Sequence, residues 1–407
     1  MLKKDRADIA AEQYLDIEMK HSGRQRKADI VLTVICCIVM FALGIGIFIG
    51  KPDAFSSEEN RTLQGYPEFK IKKFLSGKYT SEISSFYSDQ FPFRNKFVGI
   101  KSATEIGELK MENNDTLIGR DDYLIKRIEY GQDEYEQVQK SLEYIAEFER
   151  AISELGIDFY FALAPRSIDI MDFKLPNQFS TARANAVWKY TDKSSLRTIT
   201  FNDRLRASAM NGEYVWFKTD HHWTARGAYI AYLELAEKMG FEPIGADRLT
   251  AVTVSEDFRG TTYSSSGIKW TSPDILELLR YDGDSDFTVR DAENNTEITK
   301  GFYDFSYLDV KDKYSIFFGG NNQHVSITHN DGKERPKLLL IKDSFAHSVV
   351  PFLAEHYDIE MFDLRYYKTG SVYKYAAEHD FDAVLVLYGI DTIATSDSVR
   401  YIKYGIK

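Results

Sequence analysis

Residues 30–50 run IVLTVICCIVMFALGIGIFIG without a single charged side chain. A helix over this run is roughly 31 Å long, close to the thickness of a bilayer's hydrocarbon core. A soluble helix of that length needs a polar face, and a cleaved signal peptide has a shorter apolar core and a small-residue cleavage site. The run is therefore read as one transmembrane anchor. Lys20, Arg24, Arg26 and Lys27 crowd its N-terminal flank, whereas Lys51, Asp53, Glu58 and Glu59 follow it with no basic excess. The positive-inside rule then places 1–29 in the cytoplasm and 51–407 outside, as a single-pass protein of the cell membrane.

Both cysteines, Cys36 and Cys37, lie inside the apolar run, so the expected outer part has none with which to form a disulfide. An exported domain without cysteine fits a bacterial surface. The formal net charge of −11 excludes a typical nucleic-acid binder, which needs a basic face to neutralise phosphates. Hydrophobic residues make up 43% of the 407-residue chain, enough to fill a sizeable core.

After the anchor, residues 51–130 read as a segment packing on a catalytic domain of 131–407. They hold an irregular stretch with Gly65 and Pro67 as breakers, then an amphipathic helical pattern interrupted near Pro92. Apolar residues at helical spacing (Val138, Leu142, Ile145, Phe148, Ile152) predict a helix over 130–155, ended by Gly156. Strands are expected at 157–165, 213–218, 337–342, 359–364 and 382–388, with helices over 224–240, 345–356 and 371–379. The C-terminal alternation of strand and helix with short links predicts right-handed parallel crossovers. The expected fold class is an α/β parallel sheet with helices on both faces. The more polar stretch 281–335 is read as a β-rich insertion.

Two short phrases carry chemistry. In Thr219-Asp220-His221-His222-Trp223-Thr224, Asp220 and His222 are two residues apart, and in extended backbone their side chains share a face. A carboxylate beside an imidazole fixes its tautomer and stabilises its protonated form, the orienter and base of a triad. The plainer alternative is a helix cap with locally packed histidines, and a third is a metal site on Asp220, His221 and His222. In Lys342-Asp343-Ser344-Phe345, a serine follows an apolar strand and opens a helix. There its own N–H and the helix start can stabilise an oxyanion, given a base to activate the hydroxyl. Its plain alternative is a serine N-cap. Gly320, Asn321 and Asn322 in GGNNQH are donors of the kind an oxyanion hole needs, or else a tight turn. Arg365 in DLRYY and Arg166 after ALAP are candidates to hold a substrate group, or else structural ion pairs. Trp223 is a candidate sugar-stacking ring or a packed tryptophan, and His221 is a further candidate at the site.

TDHHWT together with KDSF resembles the DHHW family of bacterial proteins, which is similar to the SGNH-like domains of alginate O-acetyltransferases. The phrases SEENRTLQGYPEF, YSDQFPFRNKF, DFRGTTYSSSG and DLRYY extend the resemblance over residues 55–395. It implies an SGNH-like fold, with Ser344 as nucleophile, His222 as base and Asp220 as its orienter. The Asp–His pair precedes the serine here, the permuted order of the alginate-type enzymes. The implied activity is acetyl transfer to a polysaccharide or cell-wall polymer through an acyl-serine, without a cofactor and with an MBOAT-type membrane protein as donor. A carbohydrate acetylesterase with the same triad and a non-catalytic polysaccharide-binding protein are the rival readings.

Overall fold

The computed structural model describes residues 6–48, 51–56, 61–108, 110–177 and 179–406. Positions 49 and 50 of the expected span, and Glu58 and Glu59 of its flank, lie outside them. The chain forms two compact units. The described residues of one lie before Gly99, and the other runs from Gly99 onward.

The first unit begins with α1, Arg6–Gly46. Its Gln25–Gly46 portion is long and apolar enough to cross a membrane, and none of the residues in its apolar stretch is buried within the protein. This is compatible with a single-pass anchor or a signal sequence. Two helices follow, α2 (Ile71–Leu75) and α3 (Lys78–Asp89). They are joined through Gly77, whose φ of 75° lies in the left-handed region open to glycine. Phe86 of α3 is buried, whereas α2 buries no residue.

The second unit is built on an eight-stranded sheet. In chain order its strands are β1 (Asp158–Ala164), β2 (Thr198–Thr200), β3 (Phe287–Asp291), β4 (Thr296–Lys300), β5 (His324–His329), β6 (Lys337–Lys342), β7 (Asp358–Phe362) and β8 (Ala383–Gly389). Their spatial order is β4-β3-β5-β7-β6-β8-β1-β2. The five strands from β7 to β2 are parallel. The other three add on antiparallel beside β7. The stretch 281–335 is thus β-rich, and its strands extend the main sheet.

Alternation along β6 explains why this strand reads as a continuous apolar run. Leu338 and Leu340 enter one core, and Leu339 and Ile341 enter the other. The second core is closed by α4 (Gln132–Glu154), through Val138, Leu142, Ile145, Phe148 and Ile152. The first is covered by α5 (Ala225–Met239), capped by Thr224, which accepts from the Gly227 N–H, and ended by Gly240.

Two expected elements differ. Residues 213–218 form no strand: Trp216 makes only an isolated bridge to Trp223, and the Thr224 N–H donates to the Val215 carbonyl at 3.0 Å. Val215, Trp216 and Phe217 are fully buried, so the run has the burial of a core strand but turns back on itself. The helix expected over 345–356 is a 3₁₀ turn, Ser344–Ser348, followed by a short α-helical piece, Val350–Leu353. Pro351 lacks the N–H that a continuous helix would use there.

Candidate active site

Ser344 leaves the C-terminal end of β6, at the edge where parallel α/β sheets gather functional groups. Asp343 anchors the turn. Its Oδ1 accepts from the Phe345 N–H at 2.9 Å, and its Oδ2 accepts from the Gly389 N–H and the Thr392 hydroxyl, both at 2.6 Å. The nucleophile turn is thereby tied to the end of β8.

The 219–224 loop reaches the same place by a different route. Buried Asp274 begins a strand, Asp274–Arg280, of a separate hairpin with Thr250–Phe258. Its carboxylate accepts from the N–H groups of Lys218 and Thr219 at 2.8 Å each, from the Thr219 hydroxyl at 2.5 Å, and from the Tyr214 hydroxyl. This network gives the loop the backbone partners that a sheet would otherwise supply. Gly260 completes the contact. A Cβ at that position would lie 2.1 Å from Asp220 Oδ2, so the close approach requires glycine.

The result is a continuous relay. His222 Nε2 lies 2.8 Å from Ser344 Oγ, and His222 Nδ1 lies 2.7 Å from Asp220 Oδ1. With the Nδ1–H donating to Asp220, Nε2 accepts the serine hydroxyl. Asp220 Oδ2 accepts from the Thr261 N–H at 2.8 Å and its hydroxyl at 3.0 Å. Burial works to raise the Asp220 pKa, but the adjacent imidazoles of His221 and His222 and these donors outweigh it and hold the carboxyl far below the usual range. The His222 ring stacks on Tyr314, with centroids 3.9 Å apart and planes 6° from parallel. Phe345 meets its edge at 5.0 Å. The imidazole is therefore fixed in both tautomer and plane.

The other candidates fall in several places. His221 stays 45% exposed, with Nδ1 2.5 Å from the Thr261 hydroxyl and its ring 3.8 Å from that of His222. It can line the mouth of the site. Asp220, His221 and His222 do bring a possible ligand atom each within 4.8 Å of one another. Both ring nitrogens of His222 and both oxygens of Asp220 are already engaged in the relay and its supports.

Trp223 is fully buried, donates to Ser348 Oγ at 2.9 Å and packs on Phe345. It has no ring face open to a sugar. Arg166 is buried against Asp169, the Ala184 carbonyl and the Tyr130 ring, none of which belongs to the relay. Asn322 turns back to the Phe318 carbonyl at 2.8 Å, and Gly320 bonds the Phe317 carbonyl through its N–H, the pattern of a tight turn. Asn321 accepts from Arg365 Nη2 at 3.0 Å.

Arg365 is 31% exposed and forks onto the fully buried Asp363, which also pairs with the fully buried Lys342 at 3.2 Å. Lys342 donates to His347 Nε2 at 2.7 Å. Burial, reinforced by the Lys342 charge, keeps His347 well below its ordinary pKa and hence neutral. Behind the nucleophile thus lies a buried ionic cluster with only Arg365 reaching outward.

Sequence reading missed Tyr314, Asp274 and the structural role of Asp343. Gly260 and Thr261 lie in DFRGTTYSSSG, a phrase noted for its resemblance without a role. No spacing rule ties Tyr314 or Asp274 to His222, because tertiary contact alone joins them.

Fold and site together describe an α/β domain with a Ser–His–Asp relay at the carboxyl edge of its sheet. Residues 155–362 match the profile of the DHHW protein family, more than half of the chain. The chain belongs to that family. It is 21% identical over 221 residues to a probable alginate O-acetylase AlgJ of Pseudomonas fluorescens; the match covers 53% of this chain and 56% of that protein, so the chain spans little more than half the length of this relative. Among solved structures, a DHHW family protein from Eubacterium siraeum superposes with a TM-score of 0.59 at 21% identity, over 72% of this chain and 96% of that one. Bacillus cereus PatB1 superposes with 0.58 at 22%, over 70% and 99%. These two likenesses show the shared fold.

Proposed function

We propose that this protein is a serine-dependent O-acetyltransferase that acetylates a polysaccharide or cell-wall polymer outside the cell membrane. The observation that carries the reading is the unbroken relay Asp220–His222–Ser344, with spacings of 2.7 and 2.8 Å. The similarity to a protein named as an alginate O-acetylase supports the substrate class.

In the proposed reaction, Ser344 Oγ attacks the acyl carbonyl of the donor while His222 Nε2 takes its proton. The tetrahedral intermediate collapses, His222 returns that proton to the departing donor group, and acetyl remains on Ser344. An acceptor hydroxyl then gives its proton to His222 as its oxygen attacks the acyl-serine. The new ester leaves, and Ser344 recovers the proton. Asp220 stays ionised throughout and stabilises the imidazolium formed in each half. The Ser344 N–H, at the start of its turn, is a candidate oxyanion donor. The domain is anchored by α1 with residues 1–29 in the cytoplasm, and an MBOAT-type membrane protein supplies the acetyl groups.

One structure of PatB1 carries a sulfonyl adduct, and a sulfonyl fluoride is the probe chosen for this protein. The full chain is exposed to the probe or to a chromogenic acetate ester, and the modified residue is located by mass spectrometry. Modification of Ser344, with ester turnover reduced about 10⁶-fold in Ser344→Ala and His222→Ala, is expected. Unchanged turnover in both variants refutes the triad.

A further inference from the structure

The first unit carries a surface that the proposed reaction does not use. The end of α1 packs directly on the α3 region. Ile47 is buried, a Cβ on Gly46 would lie 3.0 Å from the Pro92 ring, and Phe48 approaches Phe86 and Tyr87 at centroid distances of 6.3 and 5.9 Å. Whatever surrounds the apolar stretch of α1 is therefore close to the α2–α3 hairpin. Phe69, just before that hairpin, and Ile71, Phe74 and Leu75 on it are 60, 68, 55 and 78% exposed. Phe69 stands edge-on to Tyr79 at 5.1 Å and 6.1 Å from Phe74, so the aromatics form a supported cluster on the surface.

The same stretch is basic in an acidic protein. Residues 66–82 hold four lysines against two glutamates, while the whole chain carries −11. Lys73 is paired with Glu82 at 2.8 Å, and Lys70 with the exposed Glu68 at 2.9 Å. Lys72 and Lys78 have no acidic partner among the described residues. Aromatic and aliphatic side chains interleaved with lysines are what the headgroup boundary of an anionic leaflet accepts: rings and alkyl groups enter the acyl edge, and ammonium groups meet the phosphates.

We infer that the α2–α3 hairpin docks on the anionic lipid surface of the membrane that α1 spans. The inference rests on the proposed membrane anchor. Continuity with α1 and the local reversal of charge favour lipid over a protein partner. The hairpin then restrains the unit at the bilayer surface and limits how far it can tilt away.

The test uses the full chain reconstituted in vesicles of phosphatidylcholine with or without phosphatidylglycerol. Labels on the native Cys36 and Cys37 report the anchor. In a Cys36→Ser, Cys37→Ser background, a labelled Leu75→Cys reports the hairpin, and a labelled Asp380→Cys gives an exposed reference. Quenching is compared between an acyl-chain nitroxide and an aqueous quencher. Expected is lipid quenching at position 75 in phosphatidylglycerol vesicles, with the docked-to-free ratio falling at least roughly thirtyfold on Lys72→Glu, Lys78→Glu.

Aqueous quenching at 75 equal to that at 380, with Cys36 and Cys37 still lipid-quenched, overturns the docking and leaves the anchor standing. Protection at 75 without lipid quenching also overturns it, in favour of a protein cover. Insensitivity to the lysine substitutions overturns the electrostatic basis. Loss of lipid quenching at Cys36 and Cys37 overturns the anchor, and the docking with it.

Discussion

The two halves of the relay are held in opposite ways. Ser344 stands at the end of β6, which is paired in parallel with β7 on one side and β8 on the other, so the main-chain ladder sets its position. Asp220 and His222 stand on a loop outside the sheet, placed by the Asp274 carboxylate, the Gly260 close approach and Thr261. A ladder spreads the positioning over many backbone bonds. A loop hung on one carboxylate concentrates it in a few side chains. The half that moves the proton is therefore expected to be the more fragile one.

Gly260→Ala is the sharpest way to break that contrast. The added methyl would sit 2.1 Å from Asp220 Oδ2, and displacing the orienter by about 1 Å is expected to cost about a hundredfold in ester turnover. Circular dichroism and thermal melting of the same sample separate this loss from unfolding. Wild-type turnover in the variant would show that Asp220 does not need its observed place.

Asp274→Asn and Asp343→Asn set the two supports against each other. An amide at 274 turns a donor toward groups that all donate, and the destabilisation is expected to reach about 3 kcal/mol. At 343 three donors are affected, but the flanking strands still hold the turn, and about 1 kcal/mol is expected. Denaturant titration of both variants checks the order. The larger loss at 343 would reverse the comparison.

A separate effect lies away from the site. His356 contacts the Tyr232 hydroxyl at 2.7 Å and the Phe241 ring at 4.5 Å. Burial, aided by the nearby Arg335 and Arg248 charges, lowers its pKa from 6.5 to about 4. Between these values the unfolded chain binds the proton and the folded one does not. Stability therefore falls as pH drops from 6.5 toward 4, by about 2 kcal/mol in all once solvent screening of this partly exposed ring reduces the full linkage value. His356→Phe should flatten that part of the stability profile, and an unchanged slope would remove His356 as its source.

Much of this was legible along the chain. The apolar run, the helix over 132–154 and the strand β6 follow from periodicity and length, because each buries or exposes a regular stripe of side chains. The α5 helix was legible by its ends, since Thr224 and Gly240 satisfy local backbone needs that neighbouring residues announce. The residues 213–218 misled for a physical reason. Apolarity reports burial, and a buried loop whose backbone is satisfied by its own returning chain, with a distant carboxylate at Lys218, looks the same as a buried strand. Arg166 and Arg365 both follow sheet strands, yet one is enclosed by Asp169 and Ala184 and the other reaches outward from Asp363. Position in sequence does not distinguish them.

The sequence by itself determined the span-length helix, the alternation that builds the parallel sheet, and the two phrases holding Asp220, His222 and Ser344. These are local properties, set by side-chain chemistry at short spacing. Tertiary structure alone decided that His222 meets Ser344 across 122 positions, that Tyr314 stacks on the imidazole, and that Trp223 is closed to any sugar. Such contacts join segments with no shared periodicity, and they exist only once the sheet has fixed where each strand ends.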